Sequence, residues 1–285
     1  MWAFVSTGWI FAQPPGKTLI VVAHPDDECY FAATVYTMAV ELGGIVDELI
    51  ITNGEGGFRY STLAEPYYKK SLTIEAVGRK DLPAIRRKEA INAGKVLGIQ
   101  KHFLLGQKDQ RFTTDEEEGP NHEWNSALVT ARIATLLRRG HYKYVFSVLP
   151  RSTTHEHDQA ATALAAHAIQ TLPENLRPVL LGFDTDAADY APSTQADTDQ
   201  RWTSSYAYTF DRTIAFGSQN SLTNQIVVNW MIAEHKSQGL LQTMVNKDPK
   251  EYLWVDLESA PEAQTKASLL FHFLRTDLVH DEKSK

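Results

Sequence analysis

The sequence has little of several things, and each shortage excludes a class of protein. Cys29 is the single cysteine in 285 residues, which excludes an intrachain disulfide and a metal cage built from thiolates. Acidic residues outnumber basic ones by 35 to 28, so the net charge is −7 and a nucleic-acid partner is not expected. No apolar run reaches the ~18–20 residues that a bilayer-spanning helix needs, so no transmembrane segment is expected.

The beginning of the chain has an unusual composition. Met1 to Ala12 is mostly apolar, and Lys17 is the first basic residue. Residues 1–16 are therefore interpreted either as an apolar arm that packs on the domain or as the remnant of a clipped signal peptide. The second interpretation lacks the basic segment that signal peptides carry. Export and a cytoplasmic location both stay open.

Predicted strands and helices alternate along the chain, which is typical of a parallel sheet covered by helices. No linker, internal repeat or low-complexity tract divides the sequence, so a single domain over residues 1–285 is expected. A dinucleotide-binding enzyme is disfavoured because no G-x-G-x-x-G follows the first predicted strand. The predicted fold class is α/β, a Rossmann-like open and mostly parallel sheet with helices on both faces.

The hydrophobic periodicity places the individual elements. The predicted strands cover residues 18–23, 46–52, 102–105, 144–149, 178–183 and 206–210. The predicted helices cover residues 27–42, 83–97 (opened by Pro83), 126–139, the stretch that ends near 169, and 222–238. Residues 58–82 are rich in Tyr and Ser and are too long for a simple loop, which indicates a lid or pocket wall. Residues 187–199 are polar and are predicted to form a loop.

The most informative stretch is His24-Pro25-Asp26-Asp27-Glu28, directly after the first predicted strand. Open α/β sheets bind ligands at the carboxyl ends of their strands. One imidazole and several carboxylates at that place suit a divalent metal, and a neighbouring carboxylate that does not bind the metal can act as a base. A helix N-cap alone would need a single Asp. A metal site is therefore the preferred interpretation.

Together with Ala23, this stretch resembles the Ala-His-Pro-Asp-Asp-Glu signature of the PIG-L/LmbE-like deacetylase family. The resemblance implies a metal-dependent hydrolase, usually with zinc, that removes an acetyl group from an N-acetylated sugar or related N-acyl compound. It implies that His24 and Asp27 bind the metal and that Asp26 is the general base on the metal-bound water. Weaker matches to the family follow in the expected order: Thr52 to Gly57, Arg86 with Glu89, Leu105-Gly106 with Asp109, and His235 to Gln238.

A third metal ligand is expected from a second strand end, after residues 144–149. In the family this segment resembles His-x-x-His followed by x-Ala, in which the first His polarises the substrate carbonyl and the second binds the metal. Matching the final Ala to Ala160 makes His155 catalytic, in a protonated form that stabilises the oxyanion, and makes Asp158 the third ligand. Matching His for His instead places His157 on the metal. The first alignment is preferred, and the second stays open.

The resemblance also implies the remaining site residues and the ligands. Arg86 and Asp109 are expected to contact sugar hydroxyls, and His235 is expected in the substrate-binding region, although a satisfied buried histidine is the alternative for His235. Tyr and Trp residues of 58–82 and 200–210 are expected to wall the pocket. The expected cofactor is Zn²⁺, or another divalent ion such as Mn²⁺ because an Asp in the third place favours harder ions. The expected partner is a small N-acetylated sugar or glycoconjugate, and a homo-oligomer stays open.

Two other functions remain in view. A metallohydrolase acting on a different amide or on an ester would use the same metal and base. A metal-free carbohydrate-binding homologue would keep the fold without catalysis, but such a protein has no need of Asp26. The sequence does not name the substrate.

Overall fold

The computed structural model describes residues 15–110, 124–151, 153–185 and 204–280. Its centre is a seven-stranded sheet in the order β3-β2-β1-β4-β5-β9-β6. The first five strands along the chain, β1 to β5, pair in parallel, and β9 pairs antiparallel with both β5 and β6. The strands are β1 Thr18–Val22, β2 Val46–Thr52, β3 Lys101–Gln107, β4 Tyr144–Val148, β5 Val179–Asp184, β6 Ser204–Asp211 and β9 Lys250–Asp256, with the short pair β7 Ala215–Phe216 and β8 Leu222–Thr223 outside the sheet.

Helices connect the strands and cover both faces of the sheet. The α-helices are α1 Ala32–Tyr36, α2 Glu65–Tyr68, α3 Glu75–Leu97, α4 Ser126–Gly140, α5 Glu156–Gln170, α6 Asn224–Glu234, α7 Leu241–Val245 and α8 Ala263–His280. Short 3₁₀ segments cover Asp27–Phe31, Glu55–Tyr60, Thr62–Ala64, Glu174–Leu176, Ser218–Asn220 and Lys236–Gln238, and Thr37–Glu41 forms a π-turn. No helix among the described residues is both long enough and apolar enough to cross a bilayer.

The central strands of the sheet send alternate side chains into two separate cores, as the period of two in a strand requires. In β1, Ile20 and Val22 belong to the core under α1, α3 and α8, whereas Leu19 and Val21 belong to the core under α4 and α5. Both faces of β1 are therefore buried, which explains its continuous apolar sequence. β2 and β3 lie on one side of β1 in the sheet, whereas β4 and β5 lie on the other side. The carboxyl ends of β1 and β4 therefore form the switch point at which such folds bind ligands.

The predicted fold class is confirmed, and most predicted elements lie within a few residues of the observed ones. Pro83 does not open its helix, because α3 begins at Glu75 and carries the proline in its interior. The end of the segment predicted as a lid or pocket wall over 58–82 therefore belongs to α3, from Glu75 onward. β9 and α8 are the longest elements that were not predicted, and the helix expected over 27–42 consists of 3₁₀, α and π turns in succession. The expected arm over 1–16, except residues 15 and 16, and the loop over 187–199 lie outside the described residues.

A buried ion pair between Arg212 and Glu251 connects β9 to the backbone at the beginning of α1. Glu251 in β9 accepts hydrogen bonds from the backbone N–H groups of Ala33 and Thr34, at 2.8 and 2.9 Å, and from the Thr34 hydroxyl. Arg212 donates from Nε to the same carboxylate at 3.1 Å and from its other nitrogens to the carbonyls of Val245 and Cys29. Both side chains are fully buried, so every polar contact of the pair lies inside the protein.

We expect Glu251→Gln to lower the free energy of unfolding by roughly 3 kcal/mol, because it leaves the Arg212 cation buried without its counter-charge. Urea titration followed by circular dichroism measures the change. Asp81→Asn is the matched control, since the Lys70–Asp81 pair is exposed and an exposed pair contributes less than about 1 kcal/mol. Equal losses in the two variants would contradict a stabilising role for the buried pair.

Candidate active site and metal centre

The site lies at the switch point of the sheet. β1 ends directly before His24, Asp26 and Asp27, and the chain that follows β4 brings His155 and Asp158 to the same edge. All five side chains line one cavity of about 470 Å³. The two segments meet there because β1 and β4 are parallel neighbours whose carboxyl ends point in the same direction.

Three side chains converge on one point at the floor of the cavity. Nδ1 of His24 lies 3.1 Å from Oδ1 of Asp158 and 3.4 Å from Oδ1 of Asp27. One ligand atom from each of these residues lies within 4.8 Å of those of the other two. The backbone N–H of His24 donates to Oδ2 of Asp27 at 2.6 Å, which fixes that carboxylate in place.

The charges and burial of this trio fit a divalent cation. Asp27 and Asp158 are both buried, and Oδ1 of Asp158 has Nδ1 of His24 at 3.1 Å but no hydrogen bond of normal geometry. Burial and the neighbouring charge of Asp27 raise the pKa of Asp158 to about 7. Two carboxylates whose oxygens lie within 4.8 Å of each other repel when both are ionised, and a cation between them relieves that repulsion. One neutral imidazole and two carboxylates would balance the charge of a divalent ion and suit borderline or hard metals.

His157 occupies a different place from Asp158. Its Nδ1 lies 3.2 Å from Nε2 of His24, on the other nitrogen of that ring, and its ring packs on Trp124. His24, His155 and His157 also bring one ligand atom each within 4.8 Å of one another. However, His157 does not line the cavity, whereas Asp158 does. The position of His157 suits a residue that accepts a hydrogen bond from Nε2–H of His24 and so leaves Nδ1 for a metal.

Asp26 is the carboxylate beside the trio, and Arg86 holds it. Nη2 of Arg86 donates to Oδ1 of Asp26 at 2.5 Å, and Nη1 donates to the carbonyl of Gly54 at 2.6 Å. Burial raises the pKa of Asp26 above its usual value, and the Arg86 cation offsets part of that rise. Gly54 has φ +67°, and a Cβ at this residue would lie 2.5 Å from Nη1 of Arg86. The glycine-rich loop is thus needed to let Arg86 reach Asp26.

His155 faces the cavity as a neutral imidazole. Its Nδ1 accepts a hydrogen bond from the backbone N–H of His157 at 3.1 Å, which places the single ring proton on Nε2. Burial and the nearby His24 and His157 lower its pKa to about 3. The protonated form of His155 expected from the sequence would need Nδ1 to give up this acceptor role, and it stays a prediction.

The expected substrate residues lie in three different environments. Arg86 and Asp109 line the cavity, and Oδ2 of Asp109 accepts the backbone N–H of Gly56 at 3.0 Å. His235 does not line the cavity; it is buried behind it, where Nε2 bonds Oε1 of Glu28 at 2.6 Å. Tyr60 of the expected 58–82 wall does line the cavity. Of the expected 200–210 wall, residues 200–203 lie outside the described residues.

Sequence reasoning missed several cavity residues. Gln238 was quoted in a motif but given no role, and the lining from residue 240 onward carries no motif at all. Tyr30, Arg151 and Asp184 also line the cavity, and Nη1 of Arg151 donates to Oδ2 of Asp184 at 2.6 Å. The signal that was available for these residues is position, because Arg151 follows β4 and Asp184 ends β5 at the edge where ligands bind.

Glu89 ties two walls of the cavity to helix α3. Its Oε1 accepts from the Tyr68 hydroxyl at 2.7 Å and from the Ser237 backbone N–H at 2.9 Å, and its Oε2 accepts from the Ser237 hydroxyl at 2.6 Å. The neighbouring Gln238 donates from Nε2 to the carbonyl of Gly57 at 3.2 Å. One buried carboxylate thus fixes both the 55–68 segment and the 236–238 turn.

We expect Glu89→Gln to raise KM by about tenfold while kcat changes by less than about threefold, because the change loosens the walls without touching a reacting group. Steady-state kinetics on an N-acetylated sugar measures both constants. Tyr68→Phe is the matched control, since it removes only the single hydroxyl bond and should change KM by less than about threefold. A fall in kcat larger than the rise in KM would contradict a purely positioning role.

Solved structures share this architecture. Over 87% of both chains, the protein superposes on the N,N'-diacetylchitobiose deacetylase of Pyrococcus horikoshii with a TM-score of 0.56 and 18% identity. Over 87% of this chain and 98% of the other, it superposes on GalB, the 4-carboxy-2-hydroxymuconate hydratase of Pseudomonas putida KT2440, with a TM-score of 0.52 and 15% identity. At these identities the likeness shows the fold alone, and the second neighbour shows that the fold does not fix the reaction.

The amino-acid sequence gives a closer relationship. Over 160 residues the chain is 29% identical to the probable N-acetyl-alpha-D-glucosaminyl L-malate deacetylase 2 of Bacillus anthracis. The aligned region covers 56% of this chain and 62% of the relative. The chain spans less than two thirds of the length of the curated relatives it matches. The family model described as PIG-L, GlcNAc-PI de-N-acetylase, matches residues 19–169, which contain β1 to β4 and α5. The chain therefore belongs to the PIG-L family.

Proposed function

We propose that the protein is a divalent-metal-dependent N-deacetylase acting on an N-acetylated sugar. The observation that carries the proposal is the convergence of His24, Asp27 and Asp158 on the cavity floor, with Asp26 beside them and bonded to Arg86. Relatives in the family are described as deacetylases of N-acetylglucosaminyl compounds, which supports an acetamide as the target.

His24, Asp27 and Asp158 would hold the ion. When bound, a divalent ion such as Zn²⁺ or Mn²⁺ would supply Lewis acidity toward a water and toward the acetamide carbonyl. His157 would accept a hydrogen bond from Nε2–H of His24 and so keep Nδ1 available as a ligand atom. The two carboxylates of this donor set support the metal dependence expected for the family. They should also shift the preference among divalent ions toward harder ones.

The remaining residues would act on substrate and protons. Asp26 would take a proton from the attacking water, and Arg86 would hold its carboxylate in the required direction. His155 would donate from Nε2 to the carbonyl oxygen as negative charge develops there. Asp26 would then return its proton to the leaving amine. Asp109 and Gln238 would contact sugar hydroxyls at the side of the cavity.

The same residues give less support to the two other candidate functions. A carbohydrate-binding protein without catalysis would not need two buried carboxylates that repel each other beside a third one held by Arg86. A hydrolase of a different amide or of an ester would use the same groups, so the substrate must be tested directly.

The test is to incubate the purified protein with Zn²⁺ or Mn²⁺ and a panel of N-acetylated sugars, and to quantify free amine and acetate. We expect equal amounts of the two products, lost on chelation and restored by the metal. O-acetylated sugars serve as the matched control. Acetate release from the O-acetyl compounds alone would favour the esterase, and no product from any compound by metal-loaded protein would overturn the proposal.

A further inference from the structure

The cavity has a polar floor and an apolar outer part. The floor carries the carboxylates and imidazoles of the candidate metal site. The segment at and after Leu240 contributes apolar side chains to the lining, namely Leu240, Leu241, Met244 and Val245, and Lys247 follows them. The residues after β4 and β5 contribute polar lining instead. A ligand that fills this cavity therefore meets two different kinds of surface.

The apolar lining continues onto the surface around the cavity mouth. Five large side chains there are between 45% and 76% exposed, and we call them the apolar rim: Tyr60, Leu63, Tyr67, Leu240 and Met244. Leu63 lies against the 236–245 segment, since a Cβ on Gly239 would be 3.1 Å from its Cδ1. Nζ of Lys236 lies 5.7 Å from the centre of the Tyr67 ring. The two segments thus present one shared apolar surface that is continuous with the cavity.

Hydrogen bonds hold the two segments that carry the apolar rim in place. The hydrogen bonds of Glu89 and Gln238 fix both of its segments on α3, as described above. Exposed apolar area of this kind is costly to keep in water and marks a place where another apolar group binds. Because the rim adjoins the cavity, the group that covers it should be part of the molecule whose polar end lies on the floor.

We propose that the apolar rim binds an alkyl or aryl substituent of the substrate, so that the preferred substrates are N-acetylated sugars carrying an apolar aglycone. This inference rests on the proposed deacetylase function, because it assumes that the acetamide lies on the cavity floor. Each methylene that leaves water on binding contributes about fourfold to kcat/KM when it is fully buried. A chain of several partly buried methylenes therefore contributes at least about tenfold.

The experiment compares methyl and octyl N-acetylglucosaminide as substrates of the full-length, metal-loaded protein, with octyl substrate below its micelle concentration. We expect kcat/KM for the octyl compound to exceed that for the methyl compound by at least about tenfold. Met244→Glu should lower this ratio by at least about fivefold, because a carboxylate replaces an apolar contact. Leu63→Glu is a second variant, on the exposed side of the rim, that should lower the ratio in the same direction.

Leu269→Glu in α8 is the matched control, since Leu269 is also a large exposed apolar residue but lies outside the cavity lining. Its ratio should equal that of the unmodified protein. A ratio within about twofold of one in the unmodified protein, with both compounds deacetylated, would overturn the inference and leave the proposed function standing. A preference seen only for octyl substrate embedded in phosphatidylcholine vesicles would also overturn it, in favour of a membrane surface as the occupant.

A binding measurement separates the two proposals. Octyl glucoside has no acetamide, so its binding to the metal-loaded protein can be measured by calorimetry whether or not the protein is a deacetylase. Binding that Met244→Glu weakens and Leu269→Glu does not would support the rim even if neither glycoside were deacetylated, in which case only the proposed function fails. Absence of binding, or binding unaffected by both Glu variants of the rim, would overturn the inference.

Discussion

Asp26→Asn is expected to lower kcat/KM for an N-acetylated sugar by roughly 10²–10⁴-fold, the range that general-base catalysis contributes. The amide has nearly the shape of the carboxylate, and its oxygen can still accept the hydrogen bond from Nη2 of Arg86. The substitution therefore removes the proton acceptor without removing its position. Steady-state kinetics and metal analysis on the same preparation measure the two properties separately.

The metal content of the Asp26→Asn protein should equal that of the unmodified protein, because Asp26 lies beside the trio and is not a member of it. Asp27→Asn is the matched control: it changes the neighbouring residue in the same way and should lose both bound metal and activity. If the metal-loaded Asp26→Asn protein kept turnover within about threefold, Asp26 would not be the base.

Asp158→Ala is expected to weaken metal binding by more than the roughly 10–100-fold that loss of a supporting group outside the ligand set costs. The removed carboxylate supplies one of two negative charges on the cavity floor and lies 3.1 Å from Nδ1 of His24. Activity should fall in parallel and should not return at metal concentrations that saturate the unmodified protein. Mass spectrometry of the metal content and competition with a chelator give the affinity.

His157→Ala is the comparison that decides between the two alignments of the histidine-rich segment. Because His157 contacts the other nitrogen of His24, we expect the smaller loss, within the 10–100-fold range, with the metal still present at saturating concentration. Metal loss confined to His157→Ala would instead identify His157 as the third ligand and would remove Asp158 from the proposed site.

The opening motif was readable from the sequence because its residues are adjacent and follow a strand that is buried on both faces. The carboxyl end of such a strand is a ligand-binding edge in open α/β sheets, so the position of His24, Asp26 and Asp27 follows from local pattern alone. The meeting with Asp158 also follows, once β1 and β4 are taken as parallel neighbours. Which of Asp158 and His157 faces the cavity does not follow, since it depends on the rotation of α5.

The contacts that hold the site were beyond sequence reasoning because their partners are far apart along the chain. Glu89 and Ser237 are separated by 148 residues, and Thr34 and Glu251 by 217. β9 was missed for a related reason: it contains the fully buried Glu251, and a charged residue in a short segment is normally taken as evidence of a solvated loop. Its tertiary partners, Arg212 and the N–H groups of Ala33 and Thr34, stabilise the buried charge.

The buried pair of Arg212 and Glu251 has a consequence for the order in which the protein can become active during synthesis. The pair contacts the backbone at Cys29, Ala33 and Thr34, immediately beyond the stretch from His24 to Glu28. Both of its members are nevertheless made long after residue 169, where the family match ends. A nascent chain that has emerged only as far as α5 contains every proposed metal ligand but lacks the groups that anchor the first helical turns. Metal uptake should therefore follow the emergence of residue 251.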